Sequence, residues 1–198
     1  MTIDFTKLAV TGVQSLQPYQ PGKPIDELAR EFNLNPKDIV KLASNENPMG
    51  PSEKALVAIK AQLADLTRYP DGNGFDLKTT LSEKLGVNTS QITLGNGSSD
   101  ILDFIVKCFV SKGDEVMVSQ HAFAIYGLVT KMAGGTCVQI PAKNWGHDLE
   151  AMAAAVTDKT KIIFVTNPNN PTGTWNTKVQ LEAFLKSVPS NVLVLLDE

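Results

Sequence analysis

The chain has 198 residues, 42% of them hydrophobic and 20% charged, which excludes a disordered or fibrous protein and allows roughly 70% of the unfolded surface to be buried. Eighteen basic against 21 acidic residues give a net charge of −3 and a pI near 5.4 with no block of like charges, disfavouring a nucleic-acid partner. Cys108 and Cys137 form no CxxC pair and accompany only His121 and His147. This argues against a zinc site or a disulfide framework and for a reducing compartment, and no apolar run approaches a signal peptide or a membrane span, so the expected location is the cytoplasm.

Residues 1–24 are rich in proline and glycine towards Leu16-Gln-Pro-Tyr-Gln-Pro-Gly-Lys-Pro24 and read as an extended arm that lies against something else. Residues 25–50 form a linking segment, with a short helix over Ile25 to Phe32 and an extended stretch over Ile39 to Ala43. From Pro51 to Leu66 the residues Ala55, Leu56, Ile59, Leu63 and Leu66 keep helical spacing, with Pro51 suited to the first turn. After the turn-rich Arg68-Tyr-Pro-Asp-Gly-Asn-Gly74 the chain alternates helix and strand. Helices are expected near Leu77 to Leu85, Ser99 to Val110, Ala124 to Ala133, Leu149 to Val156 and Lys178 to Val188, the last with Thr177 and Gln180 at capping-box spacing. Strands are expected at Ile92 to Leu94, Glu115 to Ser119, Thr136 to Ile140, Lys161 to Thr166 and Val192 to Leu196. Five strands separated by helices, apolar almost throughout in the later ones, predict an α/β fold with a largely parallel sheet covered on both faces.

In such sheets ligands bind beyond the carboxyl ends of the strands, where loops gather groups from several βα units. Gly95-Asn-Gly-Ser-Ser-Asp100 opens a helix, and the free N–H groups of Gly97, Ser98 and Ser99 suit a phosphate; a tight βα turn with serine capping explains the same residues equally well. A dinucleotide fingerprint would need glycine at Asp100 and a Walker loop would need Gly-Lys-Ser/Thr, so both readings fail. Phe123 follows the second expected strand and can offer a ring face to a planar ligand, although an aromatic there more often belongs to the core. His121 can serve as a ligand or base, but a histidine without a paired carboxylate in sequence is more often a hydrogen-bonded structural residue. Asn167-Pro-Asn-Asn-Pro-Thr-Gly173 is more constrained than a plain turn requires and presents three amides. The last expected strand runs into Asp197-Glu198, with Asp197 directly after five apolar residues. Buried, it needs a cationic or hydrogen-bonding partner; exposed, it is an ordinary strand end.

Together these segments resemble the pyridoxal-phosphate aminotransferases of fold type I. Pro18-Tyr-Gln-Pro-Gly-Lys-Pro24, Leu42-Ala-Ser-Asn-Glu-Asn-Pro48, Arg68-Tyr-Pro-Asp-Gly72 and Gly95-Asn-Gly-Ser98 are similar, more narrowly, to the histidinol-phosphate aminotransferase branch. The resemblance runs from about Val13 onward, and the Asn-Pro-Asn-Asn-Pro-Thr-Gly segment is its most specific part. It implies a three-layer large domain, here incomplete over 51–198, with pyridoxal 5'-phosphate as cofactor. Gly97, Ser98 and Ser99 are implied as phosphate holders, with Tyr69 reaching across from the partner subunit of a homodimer. Phe123 is implied to stack on the pyridine ring, Asn170 to bond its phenolic oxygen, Asp197 to pair with the ring nitrogen, and Tyr19 to close over substrate. The partners implied are a small amino donor and a 2-oxo acid, with L-histidinol phosphate as amino substrate. An aromatic-amino-acid aminotransferase, a threonine-phosphate decarboxylase relative and a noncatalytic truncated module remain open. No lysine here occupies the Schiff-base motif, which the resemblance places beyond Glu198. No catalytic residue is therefore assigned, and the chain is expected to be the N-terminal half of the enzyme and inactive alone.

Overall fold

A strand apolar at successive positions has no face to offer water and must lie within a sheet, between helical layers. The computed structural model describes residues 4–198, so the first three residues of the expected arm lie outside it. In it two such strands are central: β1, Glu115–Ser119, and β3, Thr160–Thr166. The flanking strands are β2, Thr136–Ile140, and β4, Leu193–Asp197, in the order β2-β1-β3-β4 with every pair parallel. The helices are α1 (Thr11–Gln14), α2 (Ile25–Phe32), α3 (Glu53–Gln62), α4 (Phe75–Leu85), α5 (Ser98–Phe109), α6 (Ala124–Met132), α7 (Leu149–Ala154) and α8 (Lys178–Ser187).

The alternation of side chains along β1 and β3 builds the two halves of the core. Val116, Val118, Ile162 and Phe164 meet Leu102 and Val106 of α5 and Tyr126 and Val129 of α6 on one face. Met117, Ile163 and Val165 meet Leu149 and Met152 of α7 and Phe184 of α8 on the other. The chain leaves β1 for β2 through α6, then returns past β1 to β3 through α7, which reverses the direction in which strands are added. Right-handed crossovers then put α6 and α7 on opposite faces and open a crevice beyond the carboxyl ends of β1 and β3.

The chain forms two compact units, residues 4–19 with 94–198, and residues 20–93. In the first unit the arm contains α1, which packs on α6. Gly12 is required there, because a Cβ would stand 1.8 Å from the carbonyl oxygen of Lys131. In the second unit α2 closes on Asn33, whose left-handed φ of 53° lets Leu34 N–H reach the carbonyl of Ala29 at 2.9 Å. Asp71 accepts from the N–H groups of Asn73 and Phe75, fixing the start of α4, and these two bonds lower its pKa from the ordinary value. Pro51 lies before the cap Ser52 and not in the first turn of α3.

The expected capping box is present, with Thr177 and Gln180 bonded reciprocally at the start of α8. The expected strand over Ile92 to Leu94 is absent. Ile92 is extended (φ −112°, ψ 122°), but among the described residues no strand lies beside this segment to complete a ladder, and an extended chain without a partner is not a strand. No described helix is long and apolar enough to cross a membrane.

Phe164 is fully buried and stacks on Tyr126 with ring centroids 4.4 Å apart. Phe164→Ala is expected to lower the unfolding free energy by about 3–5 kcal/mol, read from urea denaturation followed by circular dichroism.

Candidate active site

The crevice at the carboxyl edge collects the loops that follow β1 and β3. Asn169 joins them, its Nδ2 donating to the carbonyl of His121 at 2.9 Å and to Thr172 Oγ1 at 2.7 Å. Asn167 closes the same loop, accepting from Asn176 N–H at 2.7 Å and donating to its carbonyl at 3.2 Å. Gly173, at φ 71°, turns the backbone so that its N–H reaches the carbonyl of Asn169. Asn167 and Asn169 are therefore structural. Among the described residues the half-buried side-chain amide of Asn170 is engaged by no group, which leaves it free for a ligand.

Asp197 ends β4 opposite Thr166 in the parallel register. Strand parity carries both to the α6 face, since Phe164 and Leu195, two residues earlier on each strand, pack there. Tyr126 of α6 meets them. Its hydroxyl donates to Asp197 Oδ2 at 2.6 Å and lies 2.6 Å from Thr166 Oγ1. Burial, reinforced by the hydrogen bond to the Asp197 carboxylate, pushes the Tyr126 phenol well above its ordinary value. The neighbouring carboxylate, Glu198, differs in every respect. It lies past the end of β4 and is exposed, and no described group bonds to its side chain, so it takes no part in the constellation around Tyr126.

Phe123 caps α6 and is half-buried. Its ring stands edge-on to Tyr126 at 5.8 Å and 89°, and Tyr19 of the arm stands edge-on to Phe123 at 6.2 Å and 83°. The structure thus gathers Phe123, Thr166 and Asp197 around Tyr126, with Tyr19 against the outer side of Phe123. Tyr126 and Thr166 escaped the sequence reading. The available signals were the three-residue step from Phe123 to Tyr126 and the period-two match of Thr166 to the inward residues Ile162 and Phe164.

The turn after α5 leads into the start of β1, so the opposite end of α5 faces the carboxyl edge. Gly97 precedes it at φ 76° and ψ 177°, backbone that essentially requires glycine. No side chain caps this helix, since its N-cap is Gly97, and Asp100 of the first turn folds back to accept from Asn96 N–H at 2.9 Å. The first-turn N–H groups beside the exposed Ser98 and Ser99 are left open, an arrangement suited to an anion. Tyr69 belongs to the second unit and is fully exposed.

Below the crevice, on the α7 side, His147 is buried with Nε2 2.9 Å from the carbonyl of Thr166 and 3.1 Å from its N–H; one of these is a hydrogen bond in a given tautomer. Burial pushes the imidazole down from its ordinary value, with the Thr166 carbonyl opposing. A hollow of about 880 Å³ opens beside it between α7 and α8, lined by His147, Leu149, Trp175 and Phe184, and it contains none of the sequence-predicted site residues.

The open end of α5, the anchored carboxylate of Asp197, the amide of Asn170 and the ring of Phe123 all belong to segments at the carboxyl ends of the strands. Residues 37–198 match the family model for aminotransferase class I and II, and the chain belongs to that family. It is similar to histidinol-phosphate aminotransferase 2 of Pseudomonas fluorescens, 57% identical over 198 residues, which is 100% of this chain and 54% of the relative. It is also similar to histidinol-phosphate aminotransferase 2 of Haemophilus influenzae, 55% identical over 99% of this chain and 53% of the relative. Among solved structures, histidinol-phosphate aminotransferase from Sinorhizobium meliloti in complex with pyridoxal-5'-phosphate superposes with a TM-score of 0.84 at 28% identity, covering 96% of this chain and 50% of that one. The chain spans about half the length of the curated relatives it matches.

His147 gives the site a pH signature. Its folded pKa is depressed, so below about 6.5 the unfolded state binds the proton more readily and stability falls as the pH drops, by up to ~1.4 kcal/mol per pH unit. Urea midpoints measured at pH 7.5 and 5.5 are expected to diverge more in the native sequence than in His147→Gln.

Proposed function

We propose that the full-length protein carrying this chain transaminates L-histidinol phosphate, with 2-oxoglutarate and glutamate as the amino couple and pyridoxal 5'-phosphate as cofactor. The reaction class rests on Asp197, a carboxylate held by a buried phenol at the crevice that the open end of α5 also faces. The choice of amino substrate rests on identity of 57% along the whole chain with a relative bearing that name.

When bound, the cofactor supplies an electron sink for bonds at the amine-bearing carbon of the substrate. The chain's residues prepare the site for it. Ser98 and Ser99, with the N–H groups that follow Gly97, hold the phosphate, and each helix-terminus interaction contributes roughly 0.3 to 2 kcal/mol, so several must act together. Phe123 supports one face of the ring, and Asn170 donates to the ring's phenolic oxygen. Asp197 faces the ring nitrogen and keeps it protonated. A charge pair 4 Å apart is worth about 4 kcal/mol at an effective dielectric of 20, which makes this the largest of these contributions.

Tyr19, standing at the edge of Phe123, closes over the substrate, and Tyr69 reaches the phosphate of the partner subunit in a cytoplasmic homodimer. The lysine that moves the proton at the substrate carbon is supplied by sequence beyond Glu198.

The test is steady-state kinetics of the full-length protein. Histidinol phosphate is expected to exceed phenylalanine at least ~10-fold in kcat/KM, a preference a few well-placed polar contacts supply. Equal or better use of phenylalanine would assign the protein to aromatic substrates instead. Asp197→Ala is expected to lower kcat by about 10³-fold, the equivalent of about 4 kcal/mol.

A further inference from the structure

Asp197 closes a strand, and its carboxylate would be free to swing about its own side-chain bonds unless something fixed it. We propose that Tyr126 is the positioning residue that aims this carboxylate at the ring nitrogen of the cofactor. The inference rests on the cofactor assignment given above and extends it to a residue outside the contact set.

Counting protons fixes the direction of each bond. An ionised carboxylate only accepts, and a phenol has one proton, so Tyr126 spends that proton on Asp197 Oδ2. Thr166 must then donate its hydroxyl proton to the Tyr126 oxygen across 2.6 Å. The result is a one-way chain, Thr166 to Tyr126 to Asp197, in which each bond polarises the next. Among the described residues Oδ1 of Asp197 has no partner and is left for the ring nitrogen.

The anchor is itself rigid. Tyr126 is fully buried, its ring is sandwiched flat against Phe164 at 4.4 Å and 7°, and its backbone N–H bonds to the carbonyl of Phe123 at 3.2 Å. The phenol therefore has a fixed place to donate from, and the parallel register fixes Thr166 beside Asp197. Burial also keeps the phenol protonated throughout the working pH range, so the donor is never lost to ionisation.

The experiment uses the full-length protein freed of cofactor and titrated by fluorescence with two ligands: pyridoxal 5'-phosphate, and its analogue with carbon in place of the ring nitrogen. Tyr126→Phe keeps the ring stacking and removes the donor. It is expected to weaken the natural cofactor about 10-fold and the carbon analogue less than 2-fold, as loss of a hydrogen bond to a charged group requires. Thr166→Val should show the same selective loss to a smaller extent, and Thr166→Ser should restore native binding. In turnover, Tyr126→Phe is expected to lower kcat with KM for the amino substrate unchanged and to displace the pH profile of kcat. Equal weakening of both ligands by Tyr126→Phe, or of neither, overturns the positioning role while Asp197→Ala still discriminates between them. If Asp197→Ala fails to discriminate, the cofactor assignment falls, and the role of Tyr126 falls with it.

Discussion

The pairing of β3 with β4 is the constraint on which the site depends. β3 is buried on both faces, so its side-chain parity cannot slip by a residue without driving Ile163 and Val165 into the α6 layer and Phe164 out of it. That fixed parity puts Thr166 on the α6 face, and the ladder puts Asp197 directly beside it. A one-residue shift of β4 would carry Asp197 to the opposite face, beneath α7 and α8, and leave Leu196 against Tyr126. Core packing therefore decides which residue meets the buried phenol.

The same economy runs through the loop after β3. Three asparagines in seven residues read alike in sequence, yet two are consumed in holding the loop. Asn167 ties its ends together, and Asn169 ties it to the loop that carries Phe123. With both committed, the amide of Asn170 is presented by a framework that has few ways to move. A site built on strand ends and cross-linked loops loses little freedom when a ligand binds, so more of the interaction energy appears as affinity.

Much of this fold was legible because its signals are local. The strands over 115–119 and 136–140, the helix over 25–32 and the capping box at Thr177 follow from periodicity and turn chemistry that a short window contains. Asp197 and Phe123 could be singled out as residues standing at strand ends. Tyr126 could not, because it resembles any core aromatic on an amphipathic helix until the register of β4 is known. A hydrogen bond spanning 71 residues leaves no trace in a local pattern. The three asparagines illustrate the same limit, since only the partners of Asn167 and Asn169 separate them from Asn170.

The missing strand over Ile92 to Leu94 has the same origin. Its residues have strand propensity, and Ile92 takes up extended dihedrals, so the local preference is expressed. A strand, though, is a property of a pair, and extended backbone gains its hydrogen bonds only from a neighbour. β4 faces the equivalent problem on its outer side, where no described strand is paired. Local propensity and pairing are separate requirements: Ile92 meets only the first, and β4 is a strand because β3 pairs its inner side.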